Sequence, residues 1–314
     1  MPRVLVLFLD GVGLGDDDPD LNPLAAAVMP TFSALLDGRR LVRSAAPFEG
    51  PAATLVAIDA CLGVDGLPQS ATGQAAILTG RNVPAEIGGH YGPKPNPAVA
   101  DIVRQGNLFL EVVRRGGRAA LLNAYPPRYF QGIESGRRLY SCIPLAATAA
   151  GLSLKTANDL QEQHALSADF TGEGWAMQPG FPPSPIYAPL EAGRHLARLA
   201  SEVDLALFDY WATDYAGHKS EWDRSLRLLE SFDGVVGGLV EVYRDRPDLI
   251  LLTSDHGNLE DRTRRGHTRN PVPALVIGPL ASRCEFVRDL TDLTGLQAAI
   301  LRAIFDQDHD FLLA

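Results

Sequence analysis

Strand-like apolar runs and helix-like stretches alternate at both ends of this chain. The apolar runs predict strands at Val4 to Leu9, Thr54 to Ile58, Arg118 to Leu122, Asp204 to Phe208, Leu249 to Thr253 and Ala274 to Ile277. The helix-like stretches are Pro30 to Leu36, Thr72 to Leu78, Asn107 to Arg115, Leu190 to Ser201, Glu221 to Tyr243 and Leu293 to Phe305. This alternation predicts an α/β fold, with a mostly parallel sheet covered by helices on both faces.

The middle of the chain, residues 125–187, has a different composition. It is rich in Pro, Gly and Tyr, and proline clusters stand at its two ends, at 125–127 and 179–185. Because proline blocks the continuation of helices and central strands, these clusters are typical of linkers between domains. We therefore expect a small inserted cap at 125–187, within a discontinuous core made of residues 1–124 and 188–314.

Size and charge narrow the class of protein. With 314 residues, 46% of them hydrophobic and 21% charged, the chain is long enough for one large α/β domain or a core with a smaller appended domain. The formal net charge of −10 argues against a general surface for nucleic acid or anionic membrane, since both need clustered Lys and Arg. Any anionic substrate must then be attracted locally, for example by a bound metal ion.

Cysteine usage and the amino-terminal sequence favour the cytoplasm. Cys61, Cys142 and Cys284 lie far apart without paired spacing, which suits reduced thiols better than a disulfide framework. The first apolar run is too short to span a bilayer and reaches Asp10 without a basic region or cleavage pattern, so we expect no signal peptide. The sequence does not predict an oligomeric state.

Residues of the types that bind metal ions occur in four separate segments. Three segments come just after a predicted strand, where an α/β protein places its functional residues, so we expect them to meet at the carboxyl edge of one sheet. Mixed Asp and His ligands suit Mn²⁺ or Zn²⁺ better than Mg²⁺ or Ca²⁺. The candidate ligands are Asp10, Asp214, His218, Asp255, His256 and His267.

A candidate nucleophile lies between residues 66 and 81. Ser70 comes just before an alanine-rich stretch that predicts a helix, where the helix amides and dipole stabilise an alkoxide or a phosphate oxygen. Ser70 and Thr72 are also both good helix caps, and a structural role remains the alternative. Coordination to a divalent cation is a standard way to activate a serine hydroxyl, so the nearby candidate ligands favour a nucleophile.

Together these motifs resemble the alkaline phosphatase superfamily, and within it the branch of cofactor-independent phosphoglycerate mutase and phosphopentomutase. Residues 10–13 are similar to the family's opening Asp-Gly motif. Residues 214–218 are similar to its motif of an aspartate and a histidine separated by three residues. The mutase carboxyl-terminal signature is similar to residues 254–258, followed by 266–268 and 271–273. The resemblance covers both core segments and implies an alkaline phosphatase-like core.

The resemblance also implies roles for individual residues. It implies two divalent ions about 4 Å apart that clamp the attacking and leaving oxygens of a phosphoryl group. One ion would be held by Asp214, His218 and His267, and the other by Asp10, Ser70, Asp255 and His256. Counting back nine residues from Thr79 makes Ser70 the nucleophile, with Thr72 as the alternative. Sulfatases carry Pro and Arg where this chain has Thr72 and Gln74, which disfavours a sulfatase.

The cap decides which reaction we expect. The mutase carries a much larger insertion with basic residues, whereas residues 125–187 contain four basic and five acidic side chains, for a net charge of −1. Arg128, Arg137 and Arg138 either form an anion clamp for substrate or are solvated surface residues. We therefore expect a phosphomonoester hydrolase acting on a small phosphorylated metabolite. A phosphomutase is the main alternative, and a metal-binding protein without turnover is a third.

Overall fold

The structure is a computed structural model that describes residues 2–219 and 221–306. Its strands are β1 Val4–Leu9, β2 Phe48–Glu49, β3 Ala53–Ile58, β4 Ala119–Leu121, β5 Ala124–Tyr125, β6 Lys155–Thr156, β7 Leu205–Tyr210, β8 Leu249–Thr253 and β9 Val272–Ile277. The first eight helices are α1 Pro23–Ala26, α2 Pro30–Leu35, α3 Ser70–Thr79, α4 Val83–Ile87, α5 Pro97–Gln105, α6 Leu108–Arg114, α7 Pro127–Glu134 and α8 Cys142–Ala149. The others are α9 Ala157–Gln161, α10 Glu173–Ala176, α11 Pro189–Ala200, α12 Ala212–Lys219, α13 Trp222–Tyr243, α14 Leu280–Val287 and α15 Gly295–Phe305. A 3₁₀ turn spans Arg43–Ala45.

Seven strands form one central sheet in the order β2-β3-β9-β8-β1-β7-β4. The strands β8, β1, β7 and β4 are parallel, whereas the pairs β2-β3, β3-β9 and β8-β9 are antiparallel. The predicted α/β fold with a largely parallel sheet is confirmed. The parallel part holds β1, whose six residues are all buried, as expected for a strand covered on both faces.

Helices cover both faces of this sheet. Alternate residues of β1 face opposite sides: Val4, Val6 and Phe8 pack with α3, α5, α6, α8 and α15, and the intervening leucines pack with α2, α11 and α13. Two separate apolar cores result, one on each face. No helix in the described part of the chain is long and apolar enough to cross a membrane.

The segment expected to form a cap contains α7 to α10 and a two-stranded parallel sheet of β5 and β6. Helix α8 packs in the same apolar core as α3 and α5. Around α9 and α10, a small separate cluster holds Trp175, Leu160 and Ala165, with Phe181 packed against it. The division into a core and a cap stays a prediction.

Candidate active site

Three neighbouring strands bring the candidate ligand segments together. In the sheet, β8, β1 and β7 are adjacent and parallel, so their carboxyl ends lie side by side. Asp10 follows β1 directly, and its backbone N–H donates to the carbonyl of Tyr210 at the end of β7, at 3.2 Å. Asp255 follows β8 by two residues. The ligand types therefore meet at the edge of the sheet that the sequence indicated.

The short helix α12 carries Asp214 and His218 on one face. Residues four apart on a helix are neighbours, and His218 Nε2 lies 3.4 Å from Asp214 Oδ2. The two side chains differ in exposure, at 46% for His218 and 19% for Asp214. His218 therefore lies at the open side of the site.

His256 occupies the centre of the site and is fully buried. Its Nε2 lies 3.0 Å from Ser70 Oγ, 3.4 Å from Asp10 Oδ1 and 3.7 Å from Asp255 Oδ2. The nucleophile candidate and two carboxylates thus surround a single ring nitrogen.

His267 stacks on His256, with ring centroids 3.7 Å apart. Its Nδ1 lies 2.6 Å from the Pro68 carbonyl oxygen, which accepts a hydrogen bond. That bond places the proton of a neutral ring on Nδ1 and leaves Nε2 as the free ligand atom, 3.8 Å from Asp214 Oδ1. The loop before α3 therefore orients His267.

The candidate ligands form two overlapping groups. One group is Asp214, His256 and His267, the other is Asp10, Asp255 and His256, and within each group the ligand atoms lie within 4.8 Å of one another. His256 thus belongs to both groups, whereas the family resemblance assigned it to one ion only. His218 lies beside Asp214 but outside both groups.

The electrostatics of the site fit divalent cations. Burial and the neighbouring carboxylates raise the pKa of Asp10 and Asp255 well above the usual value, and burial lowers the pKa of His256 and His267. Within the described residues, buried Asp10 Oδ1 and Asp255 Oδ2 have no hydrogen-bond partner. A bound cation would satisfy these oxygens, and neutral histidines are the form that binds metals.

Ser70 and Thr72 have different surroundings, although both are buried. Helix α3 begins at Ser70, so the N-cap is Gln69, whose side chain makes no capping bond. Ser70 Oγ contacts His256, whereas Thr72 Oγ1 donates to the Gln69 and Tyr91 carbonyls and accepts from the Tyr91 N–H. The hydroxyl of Thr72 is thus engaged by backbone, and that of Ser70 faces the ligand groups.

Two glycines allow the segments to approach this closely. Gly11 has a φ of +69°, and a β-carbon there would lie 2.6 Å from Asp214 Oδ1. A β-carbon on Gly73 would lie 2.8 Å from the Asp255 carbonyl oxygen. Any side chain at these positions would push α12 or α3 away from the site.

The sequence analysis missed a buried carboxylate, Glu260, that joins three ligand segments. Its Oε2 accepts from the backbone N–H of Gly13 at 3.0 Å and of Asn258 at 2.8 Å. Its Oε1 accepts from Thr268 Oγ1 and, at 2.9 Å, from Asn270 Nδ2. These donors lie close in sequence to the ligands of β1, β8 and the loop of His267. The sequence signal that could have identified Glu260 is its position two residues after the Asp-His-Gly-Asn motif.

We expect Glu260→Gln to weaken divalent metal binding by about 10- to 100-fold, the range for loss of a partner that orients a ligand. The glutamine places an NH₂ against donors, and each unsatisfied buried donor costs about 1–3 kcal/mol. Calorimetric titration of the metal-free protein with Mn²⁺ or Zn²⁺ measures the affinity. The control is Glu241→Gln, an exposed residue paired with Arg194. An unchanged affinity in a folded Glu260→Gln protein would contradict this role.

The three arginines expected to form a clamp lie in different surroundings. Arg128 stacks over the Phe181 ring at 4.3 Å and donates to Gln178 Oε1 at 3.4 Å. Arg138 lies 4.7 Å over the Tyr129 ring. Arg137 is exposed. The structure therefore does not show the three side chains as one cluster.

Comparison with known sequences gives matches to about a third of the chain. Residues 191–305 match the model of the Metalloenzyme superfamily. Over 110 residues, 33% of this chain, the sequence is 29% identical to the 2,3-bisphosphoglycerate-independent phosphoglycerate mutase of Halobacterium salinarum, covering 22% of that protein. It is 32% identical to the enzyme of the same name from Serratia proteamaculans over 114 residues, 34% of this chain and 22% of that one. The chain spans about a fifth of the length of these curated relatives.

Comparison with solved structures concerns the fold. A cold-active alkaline phosphatase from Shewanella sp. has a TM-score of 0.52 and 11% identity, with 96% of this chain and 99% of that chain covered. The PH0037 protein of Pyrococcus horikoshii has a TM-score of 0.52 and 15% identity, with 88% and 85% covered. Residues 191–305 are therefore similar to the Metalloenzyme superfamily, and the chain has an alkaline phosphatase-like fold.

Proposed function

We propose that this protein is a two-metal phosphoryl-transfer enzyme that acts through a phosphoserine at Ser70, and that its reaction is the hydrolysis of small phosphate monoesters. The observation that carries the proposal is the position of Ser70 Oγ at the start of α3, 3.0 Å from His256 Nε2 and beside two groups of metal-ligand residues. Thr72 is less suited to this role because its hydroxyl is bonded to backbone.

Two divalent ions, Mn²⁺ or Zn²⁺, fit the mixed carboxylate and imidazole donors. In the proposed arrangement Asp10, Asp255, His256 and Ser70 hold one ion, and Asp214, His218 and His267 hold the other. Bound there, divalent ions would lower the pKa of the Ser70 hydroxyl and neutralise charge on the phosphoryl oxygens. His256 has a ring nitrogen within 4.8 Å of the ligand atoms of both groups, so it lies between them.

The proposed reaction has two steps, phosphorylation of Ser70 and hydrolysis of the phosphoserine. Ser70 Oγ attacks phosphorus, the bond from phosphorus to the ester oxygen breaks, and that oxygen leaves with a proton as the alcohol. Water then attacks the phosphoserine, which restores the Ser70 hydroxyl and releases inorganic phosphate. The amino-terminal end of α3 favours negative charge on Ser70 Oγ and on the phosphoryl group.

Residues 125–187 are proposed to form the cap that selects a small phosphorylated metabolite. A mutase must keep its phosphoenzyme away from water while the substrate reorients, which needs a closing lid and several fixed cations. The net charge of −1 in this segment favours a hydrolase. The local identity to phosphoglycerate mutases keeps a phosphomutase as the second candidate. A cytoplasmic location is part of the proposal because the three cysteines are unpaired.

The test is turnover of a substrate panel in ¹⁸O-labelled water. Metal-loaded protein is incubated with sugar phosphates, glycerate phosphates and nucleotides, and the phosphate is followed by ³¹P NMR. We expect net phosphate release with one ¹⁸O incorporated, because water cleaves the phosphoserine. Movement of phosphate between two positions of one substrate, without release, would overturn the hydrolase and favour the mutase. Neither release nor movement by a metal-loaded protein would favour the third possibility, a metal-binding protein without turnover.

A further inference from the structure

The three carboxylates of the ligand groups share one pattern of contacts. In each, one oxygen accepts a hydrogen bond from an N–H donor, and the other lies near a ring nitrogen of a proposed histidine ligand. A backbone N–H is the donor to Asp255. Side-chain amides are the donors to the other two, Gln74 to Asp10 and Asn258 to Asp214. Neither amide is among the expected metal ligands.

Asn258 is the donor to Asp214. Its Nδ2 donates to Asp214 Oδ1 at 2.6 Å and to the Asp214 carbonyl at 3.1 Å. The other carboxylate oxygen, Oδ2, lies 3.4 Å from His218 Nε2, whereas His267 Nε2 is 3.8 Å from the occupied Oδ1. A β-carbon on Gly217 would lie 2.7 Å from Asn258 Cγ, so the amide packs directly against the backbone of α12.

Gln74 has the same relation to Asp10. It lies four residues after Ser70 in α3, on the same face of the helix, and its Nε2 donates to Asp10 Oδ2 at 3.4 Å. Asp10 Oδ1 lies 3.4 Å from His256 Nε2 and has no hydrogen-bond partner among the described residues. The amide thus occupies one oxygen of Asp10 and leaves the other for a cation.

Asp255 shows the pattern with a donor from the main chain. Its Oδ1 accepts from the Gly11 N–H at 3.4 Å. Its Oδ2, which has no hydrogen-bond partner in the described part of the chain, lies 3.7 Å from His256 Nε2. Carboxylates from three separate segments therefore each present one oxygen to a histidine while an N–H donor holds the other.

Both amides are placed for their donors at the expense of their acceptors. Gln74 is 4% exposed and Asn258 is 2% exposed. Within residues 2–219 and 221–306, neither Gln74 Oε1 nor Asn258 Oδ1 has a hydrogen-bond partner. An unsatisfied buried acceptor is costly, and for packing alone an apolar side chain of the same shape would be at least as stable. The contact with the carboxylate is therefore what each amide contributes.

The number of oxygens that a carboxylate offers affects which ion it binds. Ca²⁺ takes about six to eight oxygen ligands and accepts carboxylates through one or both oxygens, whereas Zn²⁺ prefers a tetrahedral set of few ligands. We propose that Gln74 and Asn258 restrict Asp10 and Asp214 to binding an ion through one oxygen each, and that the two amides thereby make the site select Zn²⁺ over Ca²⁺. This inference rests on the metal sites of the proposed function.

The affinities for Zn²⁺ and Ca²⁺ test the proposal without requiring turnover. Both Kd values are measured by equilibrium dialysis of the metal-free protein, with a competing chelator for Zn²⁺. Asn258→Leu and Gln74→Met keep the approximate shape of each side chain and remove the donor. We expect the Zn²⁺ Kd of one site to rise about 10- to 100-fold in Asn258→Leu, and that of the other site about tenfold in Gln74→Met, whose contact is longer. The Ca²⁺ Kd should change less than about threefold, because Ca²⁺ accepts either mode of carboxylate binding.

Asn123→Leu and Gln297→Met are the matched controls. Asn123 is a buried asparagine whose side chain bonds to the Asp209 backbone, and Gln297 donates to the Leu78 carbonyl at 2.8 Å. These substitutions make the same chemical changes at amides that bond to backbone. They should leave the ratio of Zn²⁺ to Ca²⁺ affinity unchanged.

A general loosening of the site would weaken both ions together, so a parallel loss of Zn²⁺ and Ca²⁺ affinity overturns the proposal. Unchanged affinities, or an equal change of the ratio in the controls, overturn it as well. Thermal melting shows whether each variant is folded, and Asn258→Ala or Gln74→Ala serves where the variant of the same shape is not.

This outcome is separable from that of the proposed function. A protein that binds two ions and hydrolyses esters, but whose ratio of Zn²⁺ to Ca²⁺ affinity does not depend on Gln74 or Asn258, would keep the function and lose this inference. A ratio that depends on both amides in a protein without turnover would keep the inference and lose the hydrolase. A parent protein that binds neither ion would overturn both.

Discussion

Ser70→Ala is expected to reduce turnover of phosphate monoesters by more than about 10³-fold while leaving the protein folded. The substitution removes the atom that forms the covalent bond to phosphorus, and the hydroxyl of Thr72 is hydrogen-bonded to backbone. The structural cost is small because Gln69, rather than Ser70, is the N-cap of α3. The lost contact of Ser70 Oγ with His256 Nε2 is one hydrogen bond, about 1 kcal/mol. Initial rates and thermal melting measure the two effects.

Thr72→Ala is the matched control, since both residues lie in the first turn of α3. The threonine hydroxyl bonds to Gln69 and Tyr91 backbone, so its loss should lower stability more than activity. If Thr72→Ala eliminated turnover and Ser70→Ala did not, the nucleophile would be two residues further along the chain than we propose.

His256→Ala should have the second large effect, a loss of bound metal. The protein reconstituted with Mn²⁺ or Zn²⁺ is expected to hold about two ions per chain. Because His256 belongs to both ligand groups, its removal should lower the affinity of both sites. The metal affinity should fall at least about 10- to 100-fold, which is the range for loss of a residue that only orients a ligand. Elemental analysis after dialysis and competition with a chelator measure occupancy and affinity.

His195→Ala provides the control for this change. His195 is a buried histidine on α11 that belongs to neither ligand group, so its loss removes similar volume without removing a ligand. We expect its metal content to match that of the unmodified protein. Full occupancy in a folded His256→Ala protein, or no metal in the reconstituted parent, would contradict the proposed metal sites.

The central strands were predictable because burial on both faces produces continuous apolar runs. Strands β1 and β8 have the predicted bounds, Val4–Leu9 and Leu249–Thr253. Their carboxyl ends locate Asp10 and Asp255, so this part of the site followed from local sequence. The antiparallel pairing of β9 with β3 and β8 could not be predicted, because strand pairing depends on contacts between residues that are distant in the sequence.

Helix α12 was not predicted, although its two candidate ligands were. Its buried residues, Thr213, Ala216 and Gly217, have the spacing of one helix face, but a threonine, an alanine and a glycine form no apolar stripe that the sequence displays. The Asp214 and His218 spacing was recognised as a motif, but the helix that puts both side chains on one face depends on packing against α13. Glu260 was missed for a similar reason, because its four donors come from segments that meet only in the folded chain.

Helix α8 packs on the main core although it lies in the segment that we expect to form a cap. It lies within the proline-rich middle of the chain, yet Cys142 and Ile143 pack in the core shared with α3. Pro144 is tolerated because it stands in the first turn of the helix, where its missing N–H would have no partner within the helix. Composition alone therefore did not show which parts of residues 125–187 pack on the main core.

The most direct test of the central claim is to locate the phosphate on the enzyme during turnover. Metal-loaded protein is mixed with a substrate from the panel, quenched in acid within the first turnovers, digested and analysed by mass spectrometry. The account predicts a phosphorylated peptide containing residues 66–81, with the phosphate on Ser70. Phosphate on Thr72, or release of inorganic phosphate at full rate with no phosphorylated peptide at any quench time, would contradict it.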